Sequence, residues 1–400
     1  MSDLNNLNSK LREVVQHAYA NAPAFRRIME GAGLTPADIQ SVGDLPKIPI
    51  TSKDKLVQMQ QADPPFGGWL AVPISQLQRI YLSPGPLYDP QGVDDTDSVR
   101  SALQALRAAG FQAGDIALNT FLYHMVPAGL WLDEALRTAG VTVVPFGPGN
   151  TELLITVMLT LKPTAYVGTP SFLETIYTRA AQMNVTPTFT KAFFSAEPYL
   201  PAQRQKFEGE YKLRTAQAYG TADLGLIGFE REGKQGLYLP DTLIVEIADP
   251  ETGAVLPDGE VGEVVVTTFN RAYPLIRFGT GDLSIAERDA DGARFLRGIV
   301  GRSGEALKVR GMFLHPNQLR LIGNAFPEVD GIAVTVQRAD GDRLHVQVML
   351  AEGQTVSDQL AFITRFGETF RQLARLRADS IELVPSGTLK SGERSLKEAK

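Results

Sequence analysis

Apolar and polar positions between 95 and 200 follow two alternating patterns. Short continuous apolar runs are typical of strands buried on both faces, and segments that are apolar every three or four residues are typical of amphipathic helices. Glycines close several of the helical segments, as at Gly110 and Gly140. The pattern predicts a parallel sheet covered by helices, with strands at 115–121, 141–145, 165–168, 191–194 and 215–219 and helices at 96–109, 127–139, 150–161, 170–183 and 199–209.

The segment before this alternation is less regular. Residues 8–31 predict two short helices separated at Pro23, and Thr51 or Ser52 is expected to cap a further helix. Residues 79–83 read as a short buried strand, which ends in a turn at Pro84-Gly85-Pro86. These elements would precede the parallel sheet and pack beside it.

The pattern changes twice after residue 235. Residues 236–300 contain short alternating runs divided by turn sequences such as Asp249-Pro-Glu-Thr-Gly253, which favours a small antiparallel sheet. Beyond 302 the order is strand 332–338, strand 344–350, helix 355–376 and strand 380–384, a small α+β domain. We therefore expect an α/β protein with a large N-terminal domain at 1–302 and a mobile C-terminal α+β domain at 303–400. The N-terminal domain would hold a mostly parallel core at about 79–235 and a β subdomain at about 236–300.

Composition narrows the class of protein. The 400 residues carry a net charge of −6, which argues against a general nucleic-acid binder. The absence of cysteine excludes disulfides and thiolate chemistry, and the four histidines lie well apart. No apolar run approaches the roughly 20 residues that span a bilayer, so no membrane association is expected. The N-terminal residues do not resemble a signal peptide, which favours a cytoplasmic location.

Candidate chemistry lies at the ends of the predicted strands. In parallel sheets, ligands bind beyond the carboxyl ends of the strands. The candidate residues at or near the predicted strand ends are Ser83, Tyr123, His124, Gly147, Gly168, Thr169, Pro170, Ser195, Ala196, Glu197, Pro198, Ala218, Tyr219, Gly220, Thr221 and Asp223. His124 is equally well explained as a buried structural histidine.

Three short strings point to a nucleotide. Tyr219 offers a flat face for a purine, and the carboxylate of Asp223 suits Mg²⁺. Asp282, at the end of Gly279-Thr-Gly-Asp282, could accept both hydroxyls of a ribose. The third string, Gly301-Arg302-Ser-Gly-Glu305, suits a hinge. Taken singly, each string also fits an ordinary feature: a core tyrosine in a strand-to-loop turn, a hairpin turn and a passive linker.

Together these strings resemble the phenylacetate–CoA ligase family of the adenylate-forming superfamily. The resemblance extends along nearly the whole chain. It includes segments 21–25, 44–49, 65–68, 143–151, 163–171, 195–198, 218–220, 275–277 with 280–282, and 307–311. Such a resemblance implies adenylation of a small carboxylic acid, aromatic in this family, by ATP with Mg²⁺, followed by transfer of the acyl group to CoA. It also makes a homodimer plausible.

The resemblance also implies roles for individual residues. Ser195 to Pro198, Ala218, Tyr219, Gly220 and Thr221 would surround adenine, while Asp282 and Arg302 would hold the ribose. Ser83 would lie in the phosphate loop, and Asp223 would bind the metal. The acyl pocket would include Tyr123, His124, Gly147, Gly168, Thr169 and Pro170, with His124 orienting the substrate carboxylate. In the C-terminal domain, Glu305 would lie near the hinge. There the implied CoA contacts are Lys308, Arg310 and Gly311, and the implied adenylation cations are Lys390, Arg394 or Lys397.

The chain departs from the family at the phosphate end. The family's loop is rich in serine, threonine and glycine and usually carries a lysine, whereas 82–90 reads Leu-Ser-Pro-Gly-Pro-Leu-Tyr-Asp-Pro. Proline has no N–H to offer a phosphate, and Asp89 would repel one. Ala222 replaces a hydroxyl residue, and Gly279 replaces a residue that is usually arginine. Two alternatives follow: an adenylating enzyme with an amine or carrier-protein acceptor, and a binding protein for AMP or an acyl-adenylate that has lost catalysis.

Overall fold

The computed structural model describes residues 2–83, 85–250, 252–302, 307–310, 312–314, 316–338, 341–374 and 376–399. The chain divides into two compact units, Met1–Ser303 and Gly304–Lys400. The first unit begins with helical elements that surround one short strand. These are α1 (Ser2–Asn21), α2 (Pro23–Gly31), β1 (Thr51–Ser52) and α3 (Lys53–Ala62), with 3₁₀ turns at Pro36–Asp38, Val42–Lys47 and Ile74–Gln76.

The predicted break at Pro23 is confirmed, because Pro23 occupies the first turn of α2, where its missing N–H leaves no hydrogen bond unmade. The expected cap of α3 is Ser52, whose hydroxyl accepts from the amide of Lys55 at 3.2 Å. Residues 79–83 belong to a strand, as predicted, but this strand is half of an antiparallel hairpin. The hairpin consists of β2 (Leu77–Ser83) and β3 (Leu87–Gly92).

The alternating segment forms the predicted α/β core. Its elements are α4 (Asp97–Ala108), β4 (Ile116–Asn119), α5 (Ala128–Thr138), β5 (Thr142–Pro145), α6 (Thr151–Leu161), β6 (Ala165–Gly168), α7 (Pro170–Gln182), β7 (Lys191–Phe194), α8 (Pro201–Arg204) and β8 (Arg214–Thr221). A wider helical turn, Gln205–Glu210, continues α8. Strands β5, β4, β6, β7 and β8 lie side by side and parallel, so their carboxyl ends meet at one edge.

The antiparallel strands extend this same sheet. They are β9 (Gly225–Phe229), β10 (Leu237–Tyr238), β11 (Leu243–Ala248), β12 (Val261–Thr268), β13 (Phe278–Arg288) and β14 (Arg294–Arg302). Strand β8 pairs with β7 on one side and with β9, antiparallel, on the other. In the described part of the chain the result is one mixed sheet of twelve strands, in the order β11-β12-β13-β14-β10-β9-β8-β7-β6-β4-β5 with β1 beside β13. The α/β prediction is confirmed, and the strands expected to form a separate subdomain continue the main sheet.

The second unit has its own four-stranded sheet and core. Its elements are β15 (Leu307–Val309), β16 (Met312–Leu314), α9 (Pro316–Asn324), β17 (Val329–Gln337), β18 (Arg343–Leu350), α10 (Gln359–Ala374), β19 (Ser380–Val384) and β20 (Arg394–Glu398). The predicted β-β-α-β order corresponds to β17, β18, α10 and β19. The sequence pattern did not predict β15, β16, α9 and β20. Leu319 and Ile322 of α9 belong to the core of this unit, and β20 pairs with β17.

Three apolar clusters stabilise the first unit from different sides of its sheet. One lies beneath the N-terminal helices and the antiparallel strands, and the other two cover the parallel strands. No helix among the described residues is both long and apolar enough to cross a bilayer.

Candidate active site

The loop Ser195–Pro198 leaves β7 at the edge where the parallel strands end. The hydroxyl of Ser195 donates to the carbonyl of Ala218 on the neighbouring strand at 2.9 Å. Ala196 has a φ of 76°, a left-handed conformation that is uncommon for residues with a Cβ. Such a conformation persists only where the surroundings enforce it, and it is concentrated at functional sites. The loop is therefore held in one defined shape beside β8.

Glu197 connects this loop to the start of α7. Its carboxylate accepts from the amide of Ser171 at 2.6 Å and from the hydroxyl of Ser171 at 3.0 Å. Thr169 caps the same helix, because its hydroxyl accepts from the amide of Phe172 at 3.3 Å. The predicted adenine loop and the predicted acyl-pocket residues 168–170 are thus brought together.

Asp282 lies at the centre of the predicted ribose contacts. One carboxylate oxygen accepts from Nε of Arg302 at 2.8 Å, and the other accepts from the hydroxyl of Tyr219 at 2.8 Å. Asp282 and Arg302 are direct partners on β13 and β14, and Tyr219 lies on β8. Burial, followed by the charge of Asp282, raises the pKa of Tyr219 well above its usual value, so this hydroxyl is a permanent donor. Three residues that are distant in sequence therefore form one fixed carboxylate site.

Gly220 and Thr221 complete β8. A Cβ at Gly220 would lie 2.5 Å from the carbonyl of Gly225, so glycine is required by the close approach of β9. The hydroxyl of Thr221 is buried and has no hydrogen-bond partner among the described residues. Beyond Thr221, whose hydroxyl is this unpaired group, the chain turns towards Asp223.

The predicted phosphate end of the site is built by the hairpin β2–β3, by α3 and by Asp223. Asp223 accepts from Nζ of Lys53 at 2.9 Å and from the hydroxyl of Ser83 at 3.3 Å, and its side chain is 1% exposed. Lys53 was not among the sequence candidates. The sequence predicted the helix cap beside it, but no pattern connects positions that are 170 residues apart.

Asp89 lies on the buried face of the hairpin, beside Ser83 and Asp223. Neither of its carboxylate oxygens has a hydrogen-bond partner among the described residues. Burial above all, and the neighbouring charge of Asp223, raise the pKa of Asp89 well above its usual range. Gln60 fixes this strand, since its side-chain amide donates to the carbonyl of Tyr88 and its oxygen accepts from the amide of Tyr88, both at 2.8 Å.

A buried arginine holds the segment that carries Lys53. Nη1 of Arg277 donates to the carbonyl of Ile48 at 2.7 Å, and its Nε donates to Glu246 at 3.0 Å. Strand β1 pairs with Phe278 and Gly279 directly after this arginine. A Cβ at Gly279 would lie 2.7 Å from a carboxylate oxygen of Glu263, which explains the glycine at this position.

The residues predicted to form the acyl pocket share fewer contacts with one another. The hydroxyl of Tyr123 donates to Asp133 at 3.0 Å and accepts from Asn119 at 2.8 Å, and burial together with Asp133 raises its pKa. His124 is exposed, so the alternative of a buried structural histidine is wrong. A Cβ at Gly168 would lie 2.0 Å from Oγ1 of Thr120, while Gly147 has a φ of 74°. The roles of these residues and of Pro170 stay predictions.

The C-terminal candidates lie in the second unit. The guanidinium of Arg310 donates to the carbonyl of Asp342 at 2.9 Å and pairs with Asp379. That of Arg394 donates to the carbonyls of Asp330 at 2.6 Å and Glu393 at 2.7 Å, while Lys390 is exposed. Lys397 is exposed, with Nζ 3.9 Å from a carboxylate oxygen of Glu393. Glu305, Gly311 and the side chain of Lys308 lie outside the described residues, so the predicted hinge and CoA contacts stay predictions.

The metal prediction rests on Asp223. No group of three or more histidine or acidic side chains suited to a metal occurs among the described residues. Oxygen ligands in smaller number remain compatible with Mg²⁺, which usually keeps several waters and is bound by one or two carboxylates and substrate phosphates. Asp223 and the unpartnered oxygens of Asp89 supply ligands of this kind.

Comparisons with known proteins identify the family of this chain. Residues 99–271 match the family described as AMP-binding enzyme. Phenylacetate-coenzyme A ligase of Aromatoleum evansii is 33% identical over 324 residues, covering 78% of this chain and 72% of that protein. The ligase of the same name from Thermus thermophilus is 30% identical over 362 residues, covering 86% of this chain and 80% of that protein.

A solved structure shares the fold. The 2-hydroxyisobutyryl-CoA ligase in complex with 2-HIB-AMP and CoA superimposes with a TM-score of 0.90 at 22% identity, covering 99% of this chain and 90% of that chain. At this identity the likeness establishes the architecture alone.

Proposed function

This chain belongs to the phenylacetate–CoA ligase family of AMP-binding enzymes, and we propose that it adenylates a small aromatic carboxylic acid with ATP and transfers the acyl group to CoA. An AMP-forming acid–CoA ligase follows from the family. The aromatic acid is the proposal, supported by the name that the curated relatives share.

One observation carries the nucleotide assignment: the carboxylate of Asp282 is fixed at both oxygens, by Arg302 and by Tyr219. Each oxygen keeps a further lone pair, so the carboxylate can accept the two ribose hydroxyls without moving. The ring of Tyr219 and the loop Ser195–Pro198 then provide the faces for adenine. Since these groups are already in position, little ordering accompanies binding.

The reaction has two steps. A carboxylate oxygen of the acid attacks the α-phosphorus of ATP, and the bond to the departing pyrophosphate breaks. The thiol of CoA then loses its proton and attacks the acyl carbon, and AMP leaves. We propose that Lys53 supplies the positive charge that the loop at 82–90 lacks at the phosphate end.

Mg²⁺ belongs to the same proposal. When bound with ATP, the ion would reduce the negative charge of the phosphates. Asp223 is the residue that the family resemblance assigns to hold it, and its carboxylate lies between Lys53 and Ser83 at the end of the hairpin.

The proposal is tested by pyrophosphate release from ATP with a panel of aromatic and aliphatic acids. We expect release with small aromatic acids, and loss of release in Asp282→Ala, which removes the ribose acceptor. Unchanged release in Asp282→Ala would overturn the ribose assignment. No release with any acid, together with intact AMP binding, would instead favour a binding protein that has lost catalysis.

The acceptor is tested separately. We expect acyl-CoA to accumulate only when CoA is added, at the expense of acyl-adenylate. Product formed with amines or with a carrier protein, but not with CoA, would replace this part of the proposal. A homodimer, a cytoplasmic location and the use of Lys390 or Arg394 in adenylation stay predictions.

A further inference from the structure

We propose that Asp89 and Asp223 together form a two-carboxylate site for a divalent cation, in which a bound metal replaces the missing loop lysine. Asp223 was the single metal ligand expected from the family. Asp89 occupies the loop itself, where an acid is opposite in charge to the residue that the family uses. The link to ATP in this inference rests on the function proposed above, whereas the cation site does not.

The hairpin directs Asp89 inward. Ser83, Leu87 and Asp89 are buried, while Tyr88 between them is exposed, as expected for alternating side chains on a hairpin. Tyr81 is the register partner of Asp89, and Ser83 is that of Leu87. Asp89 and Ser83 therefore lie on the face that meets Asp223.

Asp89 is an unusual residue to bury. It is 7% exposed, and no donor among the described residues lies in good hydrogen-bond geometry with either of its oxygens, although the nearby Ser83 hydroxyl offsets part of the effect of burial. Buried carboxylates are normally paired, hydrogen-bonded or bound to a metal, because an isolated charge is strongly destabilising in the interior. The residue thus has the properties of a ligand whose partner comes from solution.

The surrounding charges specify a cation. Two acidic side chains, Asp89 and Asp223, share this site with one ammonium group, that of Lys53, whose Nζ lies 2.9 Å from a carboxylate oxygen of Asp223. An anion, including a free phosphate, would face two acidic side chains. Oxygen ligands from two carboxylates and the Ser83 hydroxyl suit hard divalent ions such as Mg²⁺ and Mn²⁺, which complete their shells with water or phosphate oxygens.

This arrangement changes how the phosphates would be held. A loop lysine gives a permanent positive charge, whereas an acid pair attracts polyphosphate only after a cation has bound. We expect the metal to associate with this chain before any nucleotide is added.

The test is a titration of the full-length protein with Mn²⁺, without nucleotide, following the free ion by electron paramagnetic resonance. The variants are Asp89→Asn and, as a matched control, Asp94→Asn, which removes the same charge from an exposed position nearby. We expect Asp89→Asn to weaken Mn²⁺ binding at least about tenfold, since even replacing a hydrogen-bond partner of a metal ligand has effects of this size. Asp94→Asn should bind as the wild type does.

Two further variants are compared in the same Mn²⁺ titration. Asp223→Asn should weaken Mn²⁺ binding to a similar degree, whereas Lys53→Gln should bind at least as tightly, because its amine no longer competes for Asp223. Asp89→Asn should unfold at the same temperature as the wild type or higher, since it replaces a buried carboxyl group with a neutral amide of similar size. Equal Mn²⁺ affinity in wild type and Asp89→Asn, or no Mn²⁺ binding by the wild type, would overturn the site.

AMP binding separates this inference from the proposed function. AMP has no β- or γ-phosphate, so its affinity, measured by calorimetry without metal, reports on the adenosine site, and the control Asp94→Asn should leave it unchanged. Failure of the wild type to bind AMP would contradict the proposed function, and it would not affect the conclusion drawn from Mn²⁺ binding. Normal AMP binding with no effect of Asp89→Asn on Mn²⁺ would contradict the cation site alone.

Discussion

Glu197 and Ser171 join two parts of the active site that lie on different loops. The carboxylate of Glu197 receives both the amide and the hydroxyl of Ser171, at 2.6 and 3.0 Å. The loop that follows β7 is thereby attached to the first turn of α7, where backbone amides attract negative charge. The predicted adenine and acyl contacts are consequently positioned by one shared carboxylate.

Replacing Glu197 by alanine should affect both substrates. We expect the KM values for ATP and for the acid to rise together, and the free energy of unfolding to fall by about 1 kcal/mol, the usual effect of losing a helix cap. Steady-state kinetics and urea unfolding measure these changes. Ser171→Ala, which removes only the hydroxyl contact, is the control and should have the smaller effect. A rise in one KM alone would contradict the shared role.

Tyr219→Phe isolates the hydroxyl contact to Asp282. Hydrogen bonds to charged groups contribute about 1.5–3 kcal/mol, so AMP affinity should fall by about tenfold or more, while the ring remains for adenine. Calorimetry with AMP measures the change. Tyr238→Phe removes a comparable contact, 3.0 Å to Asp289, and should leave AMP affinity unchanged. Equal affinity in wild type and Tyr219→Phe would show that Arg302 alone is sufficient to orient Asp282.

Arg277→Met should strongly destabilise the first unit. The guanidinium is 1% exposed and compensates the buried charge of Glu246. Removing one member of a buried ion pair typically lowers the free energy of unfolding by about 3–5 kcal/mol. Urea unfolding measures the loss, and the double variant with Glu246→Leu should recover part of it. If the free energy of unfolding does not recover, Arg277 stabilises the unit through its hydrogen bonds to the carbonyls of Pro46 and Ile48 rather than through Glu246.

Acid should weaken one surface contact in a defined range. Lys234, followed by Tyr238 and nearby amides, lowers the pKa of Asp289 to about 2. Because the folded-state pKa lies below the unfolded value of about 3.9, this stabilisation is present above pH ~4 and disappears as the pH falls towards 2. The difference in Tm between wild type and Asp289→Asn should therefore shrink across this range. A constant difference would contradict the assignment, and Asp291→Asn, at a more exposed partner of Lys234, should show a smaller pH dependence.

The sequence identified those features that depend on neighbouring residues. Strands β6 and β7 have the predicted bounds, because each is a short apolar run between turn signals. Strand β3, Leu87–Gly92, contains Pro90 and Asp89 and does not read as a strand, yet it pairs with β2. The pattern also gave no reason to join the antiparallel strands to the parallel core, since that depends on both edges of β8.

Within the active site, the same limit separates what was expected from what was missed. Asp282, Tyr219 and Arg302 belong to recognisable strings, and the structure brings them into contact. The pairing of Lys53 with Asp223 depends on how the N-terminal segment folds over β13, and no local pattern reports it. The sequence also did not predict that Asp89 is buried, because an acid after a turn normally indicates an exposed position.

The register of β13 and β14 constrains how the length of this region can vary. Asp282 and Arg302 are opposite each other across the two strands, whose connection runs through the turn at Asp289–Gly292. Inserting one residue into either strand would turn the following side chains to the other face of the sheet and separate the pair. Additions at the tip of the turn would leave the pair intact. Natural or engineered length variation should therefore be tolerated at this turn, and a loop graft there would leave the carboxylate–guanidinium contact unaltered.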